Sequence, residues 1–358
     1  MKIKRKIMAI FCMIFLIVPV FAGCGDHEDN NEIKEDVKVE NKEDIEVKEE
    51  PKEDIIILFT NDIHCSGENN IGYSGLSAYK KECLTKTPYV SLVDCGDAIK
   101  GDMFGLVREE EYIIRFLNII MNEVGYDLAV FGNHEFDYGT DCVKEMVEES
   151  SASYVSCNIE YQGDGESFAN EIKPYEIKEY GDKKVGFVGV MTPRVMNKNR
   201  EQFFMENGKI VYDFYGDGDG QELYECVQRN VDECKEQGAD YIVLLSHLGD
   251  TEDKSPYTSV ELIQHTTGID VVLDAHSHST IEQQIEQNKE NKEVLLTSAG
   301  SEFSHIGQLV ISPDGEMQTS LISDYKERDQ EIDQLIEELK YCYESDREKL
   351  DSMIQNVK

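Results

Sequence analysis

Positive charge is the first thing this sequence has little of. It carries 35 Lys and Arg against 73 Asp and Glu, a formal net charge of −38. A chain this acidic gains nothing from a polyphosphate backbone unless cations mediate, so binding to a nucleic-acid duplex is not expected. The same field repels small anions, and a phosphate ester would be accepted only where bound metal reverses the local sign. No lysine-rich or glycine-rich phosphate loop is present to do that work instead. CxxC pairs are missing too, which argues against a zinc ribbon or a thioredoxin-type redox site. There is no internal repeat, and beyond the first 23 residues no run approaches the roughly 18 apolar residues of a bilayer span.

What is there begins with the N-terminus, MKIKRKIMAIFCMIFLIVPVFAGCGD: a basic head, an apolar run and small residues before a cysteine. Residues 1–23 are expected to be a lipoprotein signal, with Phe21-Ala22-Gly23-Cys24 as the lipobox and Cys24 as the lipidated residue. Phe21 stands where Leu is usual, and a plain N-terminal anchor is the alternative. Either way the protein is expected outside the cytoplasm, held at the bacterial cell membrane. Residues 24–53 are almost wholly Asp, Glu, Asn and Lys, too polar to offset the entropy of ordering, and read as an acidic disordered stalk. Ten cysteines are present, of which eight remain beyond Cys12 and Cys24, with spacings that dictate no disulfide pairing.

After the stalk, apolar runs of strand length alternate with segments of helical period, the pattern of an α/β fold. Strands are expected at 55–60, 89–94, 127–131, 153–158, 184–190, 241–246 and 269–274, and helices at 109–124 and 222–237. The runs 293–298, 307–311 and 317–323 read as antiparallel strands, with Pro313-Asp314-Gly315 as the turn between the last two. A charged helix follows over about 326–357, with Ile332, Leu335, Ile336 and Leu339 as its apolar stripe.

Five polar clusters each sit at the C-terminal end of an expected strand: Asn61-Asp62-Ile63-His64, Cys95-Gly96-Asp97, Gly132-Asn133-His134-Glu135, Ser246-His247 and His276-Ser277-His278. Ligands of open parallel sheets bind at that edge, so the clusters converge on one place. Singly they are ambiguous. Asp62 and His64 serve equally as two ligands or as a polar turn, Asp97 as a turn residue, and His247 as a hydrogen-bonded core histidine. Together, two Asp, four His and one Asn form a nitrogen and oxygen donor set suited to zinc, manganese, iron or nickel rather than calcium. A carboxylate shared by two ions would give the paired centre that phosphoester hydrolases use.

The ordered set DIH, GD, GNHEFD, SH and HSH resembles the calcineurin-like metallophosphoesterases, and TNDIH with FGNHEFDYG resembles their bacterial 5'-nucleotidase and UDP-sugar hydrolase branch. The resemblance covers residues 54–325. It implies a four-layer αββα sandwich and two divalent metal ions (zinc, manganese, iron, nickel or cobalt). In the family pattern Asp62, His64, Asp97 and His278 hold the first ion, while Asp97, Asn133, His247 and His276 hold the second. His134 becomes the catalytic imidazole and Asp137 its partner. Glu135 is left a supporting role.

Two features depart from the pattern: Ala275 stands where Gly is usual before His276, and Cys65 and Cys95 flank the ligands, where packing suits them better than metal binding. Full-length relatives also carry a C-terminal domain that holds the nucleoside, reached through a connecting helix. Here residues 326–358 are expected to be a truncated connector, and no partner chain replacing that domain can be read from the sequence. If residues 197–220 made a base pocket of their own, Phe203, Phe204, Tyr212 and Tyr215 would supply its rings. The implied activity is hydrolysis of nucleotides or related small organic phosphates. Cyclic phosphodiesterase, nucleotide-sugar pyrophosphatase and a non-catalytic binding lipoprotein are the alternatives.

Overall fold

The computed structural model describes residues 53–216, 218–251 and 255–355. The expected signal, Cys24 and nearly all of the stalk lie outside them. Among the described residues the chain forms two six-stranded sheets. The strands of these sheets are β1 (Ile55–Thr60), β2 (Val90–Asp94), β3 (Leu128–Ala129), β4 (Ser153–Tyr154), β5 (Tyr175–Tyr180), β6 (Lys183–Met191), β7 (Tyr241–His247), β8 (Val271–Leu273), β9 (Thr280–Gln287), β10 (Glu293–Ala299), β11 (Ile306–Ile311) and β12 (Met317–Ile322). The first sheet runs β12-β11-β1-β2-β3-β4 and the second β9-β10-β8-β7-β6-β5. β1 to β4 are parallel to one another, as are β6, β7, β8 and β10.

Strand alternation builds the layers. In β1, Ile55, Ile57 and Phe59 enter a core between the two sheets, where Val185, Phe187, Val243 and Leu245 of the second sheet meet them. Ile56 and Leu58 point the other way, into a core shared with helices α1 (Gly72–Leu84), α2 (Glu110–Val124) and α3 (Thr140–Glu149). The second sheet does the same: Val188, Val190, Ile242 and Leu244 pack against α4 (Gln221–Glu236) and α5 (Ser259–His265). The result is helix, sheet, sheet, helix, the expected four-layer sandwich. Because both faces of the central strands are buried, they read as unbroken apolar runs. In α2, Ile113, Phe116, Leu117, Ile120 and Met121 are all buried at helical spacing, and Gly125 ends the helix with φ 79°.

Two expectations are corrected, and two strands, β5 and β9, join those expected. The run at 293–298 is β10, and it is parallel to β8 while antiparallel only to β9. β5 and β9 carry too many charged and amide residues to show as strands, because each lies at the edge of the second sheet. The terminal helix is two helices, α6 (Gln330–Ser345) and α7 (Arg347–Gln355), broken at Asp346, where φ is −147°. α6 buries Ile332, Ile336, Leu339 and Cys342 in the same core as α1 and α2. All eight described cysteines are free thiols.

Candidate metal centre

Every expected metal-ligating and catalytic residue lies at or just beyond the C-terminal end of a strand. Asp62 and His64 follow β1, Asp97 follows β2, and Asn133, His134 and Asp137 follow β3. From the second sheet come His247, the last residue of β7, and His276 and His278 after β8. The centre therefore draws on both sheets. Its loops turn inward through an uncommon backbone region for residues other than glycine: φ is 51° at Asp62 and His64, 56° at Asp97, 78° at His276 and 54° at His278.

Two glycines let the strand ends close in. A methyl at Gly132 would lie 2.1 Å from Asp97 Oδ1, and one at Gly96, where φ is +92°, would lie 2.4 Å from Gly132 N. Neither site has room for a side chain. Ala275, the departure from the family pattern, buries its methyl in the core between the sheets.

The donor atoms gather into overlapping groups. Asp62, His64 and His278 offer atoms within 4.8 Å of one another, and so do Asp97, His247 and His276; His64 and Asp97 join His134 in a third group. Asp97 is central: its Oδ2 lies 3.3 Å from His247 Nε2, 3.5 Å from His64 Nε2 and 4.0 Å from His134 Nε2. Asp62 Oδ1 lies 3.6 Å from His278 Nε2 and 3.9 Å from His64 Nε2.

These residues suit a metal pair. Asn133 Oδ1 is buried and has no hydrogen-bond partner among the described residues, a costly arrangement for an amide oxygen unless a cation takes it. His247 Nδ1 donates to the Cys95 carbonyl at 2.7 Å, since a carbonyl only accepts, and this aims Nε2 at Asp97 without hydrogen-bond geometry. Burial opposes a charge on His247, yet the Asp97 carboxylate, reinforced by Asp62 and Glu135, pushes its pKa up to about 10. A field that holds a proton on a fully buried imidazole favours a cation in the proton's place. His276 goes the other way, to about 4, through burial first and the His247 charge second. Burial raises Asp62, whereas Asp97 lies well below the usual carboxylate range because its histidine neighbours, His247 foremost, outweigh its burial.

Glu135 is the frame of the Asp97 loop. Its carboxylate accepts the N–H groups of Gly132 at 2.6 Å, Ala98 at 2.8 Å and Asp97 at 3.0 Å. Asp97 Oδ1 in turn accepts the His134 N–H at 2.8 Å. Asp250, which no motif singled out, accepts the hydroxyls of Ser277 and Ser279 and so braces the turn between His276 and His278. Cys65 is buried, accepts the Lys100 N–H at 3.2 Å and has its thiol pushed up to about 12 by burial, as befits a packing residue. Burial likewise raises Cys95.

Beside the ligand groups stands a pair: His134 Nδ1 donates to Asp137 Oδ2 at 2.5 Å. Its Nε2 faces the centre. Asp137 lies below the usual carboxylate range, because the hydrogen bonds from His134 and then Arg200 more than offset its burial.

The pattern shared by calcineurin-like phosphoesterases matches residues 55–280. The chain belongs to that family. Such phosphoesterases work with two divalent metal ions, and the donor groups described above are candidates to hold them. Among similar proteins is the 5'-nucleotidase of Bos taurus, 28% identical over 242 residues, which are 63% of this chain and 38% of that protein. The 2',3'-cyclic-nucleotide 2'-phosphodiesterase/3'-nucleotidase of Salmonella typhimurium is 26% identical over 255 residues, 63% of this chain and 37% of that one. The alignments thus span under two fifths of each of these relatives. In fold, the chain is similar to a 5'-nucleotidase precursor from Thermus thermophilus, with TM-score 0.64 and 21% identity over 81% of this chain and 58% of that one.

Of the aromatic residues of 197–220, Phe203 and Tyr212 line a cavity together with Phe168 and Lys144, while packing and hydrogen bonds take up most of the ring surface of the segment. Phe204 and Tyr212 are buried in a cluster with Phe136, Phe168 and Phe214. Tyr215 bonds Glu160 at 3.1 Å, and Phe203 lies over Gly139.

Proposed function

We propose that this chain is a dinuclear metal-dependent phosphoesterase that hydrolyses nucleotides or related small organic phosphates, in the manner of a 5'-nucleotidase. The observation that carries the proposal is Asp97, which stands between two donor groups with the unpartnered Asn133 oxygen nearby and the His134–Asp137 pair at their edge. Asp62, His64, Asp97 and His278 would hold one ion; Asp97, Asn133, His247 and His276 would hold the other. Bound divalent ions supply Lewis acidity, which makes water a nucleophile near neutral pH and neutralises phosphoryl oxygens.

The chain's own residues do the rest. His134 presents Nε2 to the phosphoryl group, and Asp137 accepts the proton of its other nitrogen, which fixes the tautomer and the orientation of the ring. The backbone N–H groups gathered on Glu135 keep Asp97 and His134 in register. Phosphoryl transfer asks little covalent chemistry of a protein, so positioning and charge suffice.

The test is turnover by the purified chain on 5'-nucleotides, cyclic nucleotides, a nucleotide sugar and simple phosphate esters with several added metals. Hydrolysis of 5'-nucleotides supports the proposal. Preference for a cyclic diester or a nucleotide sugar moves the activity within the family, and silence toward every ester favours a binding lipoprotein on the same fold. The proposal extends to location: lipid on Cys24 would tether the enzyme outside the cell membrane. Detergent-phase partitioning that survives Cys24→Ser would overturn that part.

A further inference from the structure

The His134–Asp137 pair has a third member that no motif announces. Asp137 divides its oxygens: Oδ2 takes His134 Nδ1 at 2.5 Å, while Oδ1 takes Arg200 Nε at 2.8 Å and Nη2 at 2.5 Å. The Arg200 side chain is only 12% exposed, uncommon for so long a charged group unless it is paired.

Its backbone is anchored to the turn it serves. The N–H groups of Arg200 and Glu201 donate to the Asn197 carbonyl at 3.0 and 2.8 Å, and the Arg200 carbonyl accepts from Phe203 at 2.8 Å. Just beyond, the Thr140 hydroxyl donates to the Phe203 carbonyl at 3.3 Å, and Phe204 packs on Phe136 inside the turn that carries His134 and Asp137. Arg200 is thus delivered to Asp137 by contacts on both sides of itself.

The chemistry that follows is specific. A carboxylate with one partner swivels about two torsions; a guanidinium fork on one oxygen fixes its plane and leaves the other oxygen aimed at the imidazole.

We propose that Arg200 is a positioning residue for the His134–Asp137 pair, acting through Asp137 and not through substrate. This rests on the phosphoesterase reading above. In the full metal-loaded chain, Arg200→Ala is expected to lower kcat on the order of tenfold to a hundredfold, with KM nearly unchanged and both metals retained. Added guanidinium should restore part of the loss in that variant, yet leave wild type and the Asp137→Asn, Arg200→Ala double variant unmoved. Arg200→Lys, which keeps the charge but not the fork, should fall between and serves if the alanine variant does not fold.

A raised KM with unchanged kcat would place Arg200 on the substrate and overturn the proposal, as would unchanged kinetics. A second readout needs no turnover: in the ¹⁵N-histidine-labelled chain, the His134 ring resonances, assigned through His134→Ala, should shift in Arg200→Ala or Arg200→Lys. Unshifted resonances overturn the positioning role. Absence of turnover in wild type with shifted resonances would sink only the phosphoesterase reading.

Discussion

At the scale of single residues, the proposed reading separates groups that would gather cations from groups that would handle the phosphoryl unit. Asp97 faces three imidazoles, so Asp97→Ala is expected to empty both metal positions, while His278→Ala, at the rim beside Asp62, weakens mainly one. Metal counting on the purified variants decides; two ions retained without the Asp97 carboxylate would refute its bridging role. His134→Ala should keep both metals and lose turnover by on the order of a hundredfold, with Asp137→Asn losing less. Turnover at the wild-type rate would move the chemistry away from that imidazole. The gathering of these donors was legible in the sequence because each follows an apolar run, and a strand end is where a buried sheet accommodates polar atoms. Arg200 was not legible: it lies 63 positions from Asp137, and only the folded loop brings the two together. Asp250 escaped for a related reason, since its role depends on hydroxyls 27 and 29 positions away.

At the scale of elements, α6 shows how a charged helix is fastened to an acidic domain. Asp329 caps it, accepting the Glu331 N–H at 3.1 Å, and also holds Lys81 at 2.7 Å and the Ser77 hydroxyl at 2.5 Å on α1. Asp329→Ala should lower stability by about 1 kcal/mol or somewhat more, read from denaturant midpoints, since the cap and the cross-helix bonds go together. Burial acts to raise the Asp329 pKa, but the Lys81 and Ser77 contacts carry it below the ordinary value. A carboxylate lowered by folding stabilises the protein above its unfolded pKa, and that contribution fades as the pH falls through the still lower folded value. The difference between wild type and Asp329→Ala should therefore be full at neutral pH and shrink below about pH 4. A difference that stays constant down to pH 2 would show that Asp329 acts without its charge. The helix itself was legible through its apolar stripe, but its break at Asp346 was not. Beyond the break the Arg347 guanidinium stacks over Tyr343 at 3.8 Å and Tyr112 at 4.6 Å, contacts that belong to the packed state alone. The pairing of β10 escaped in the same way, because a short apolar run does not say which neighbour it will join.

At the scale of the whole molecule, most of the aromatic surface that residues 197–220 offer is taken up by packing and hydrogen bonds. With Phe204 and Tyr212 buried and Tyr215 tied to Glu160, discrimination among adenosine, guanosine and uridine monophosphates should be shallow in this chain. A simple aryl phosphate is expected within about tenfold of the best nucleotide, or about 1.4 kcal/mol. A thousandfold preference for one nucleoside would show a base pocket elsewhere in the chain. The seam on which the centre sits has a consequence of another kind. Asp62, His64, Asp97 and Asn133 follow strands of one sheet and His247, His276 and His278 end or follow strands of the other, so ions held between them would act as rivets at the edge where the two sheets meet. Occupancy then becomes a component of folding free energy: at a hundred times the dissociation constant, one ion adds about 2.7 kcal/mol. Chelation should lower the melting temperature and quicken amide exchange along the facing strands β1 and β7, whereas metal at rising concentration should reverse both. A protein built this way would report the metal supply of its surroundings through its lifetime, persisting where ions are plentiful and unfolding sooner where they are scarce.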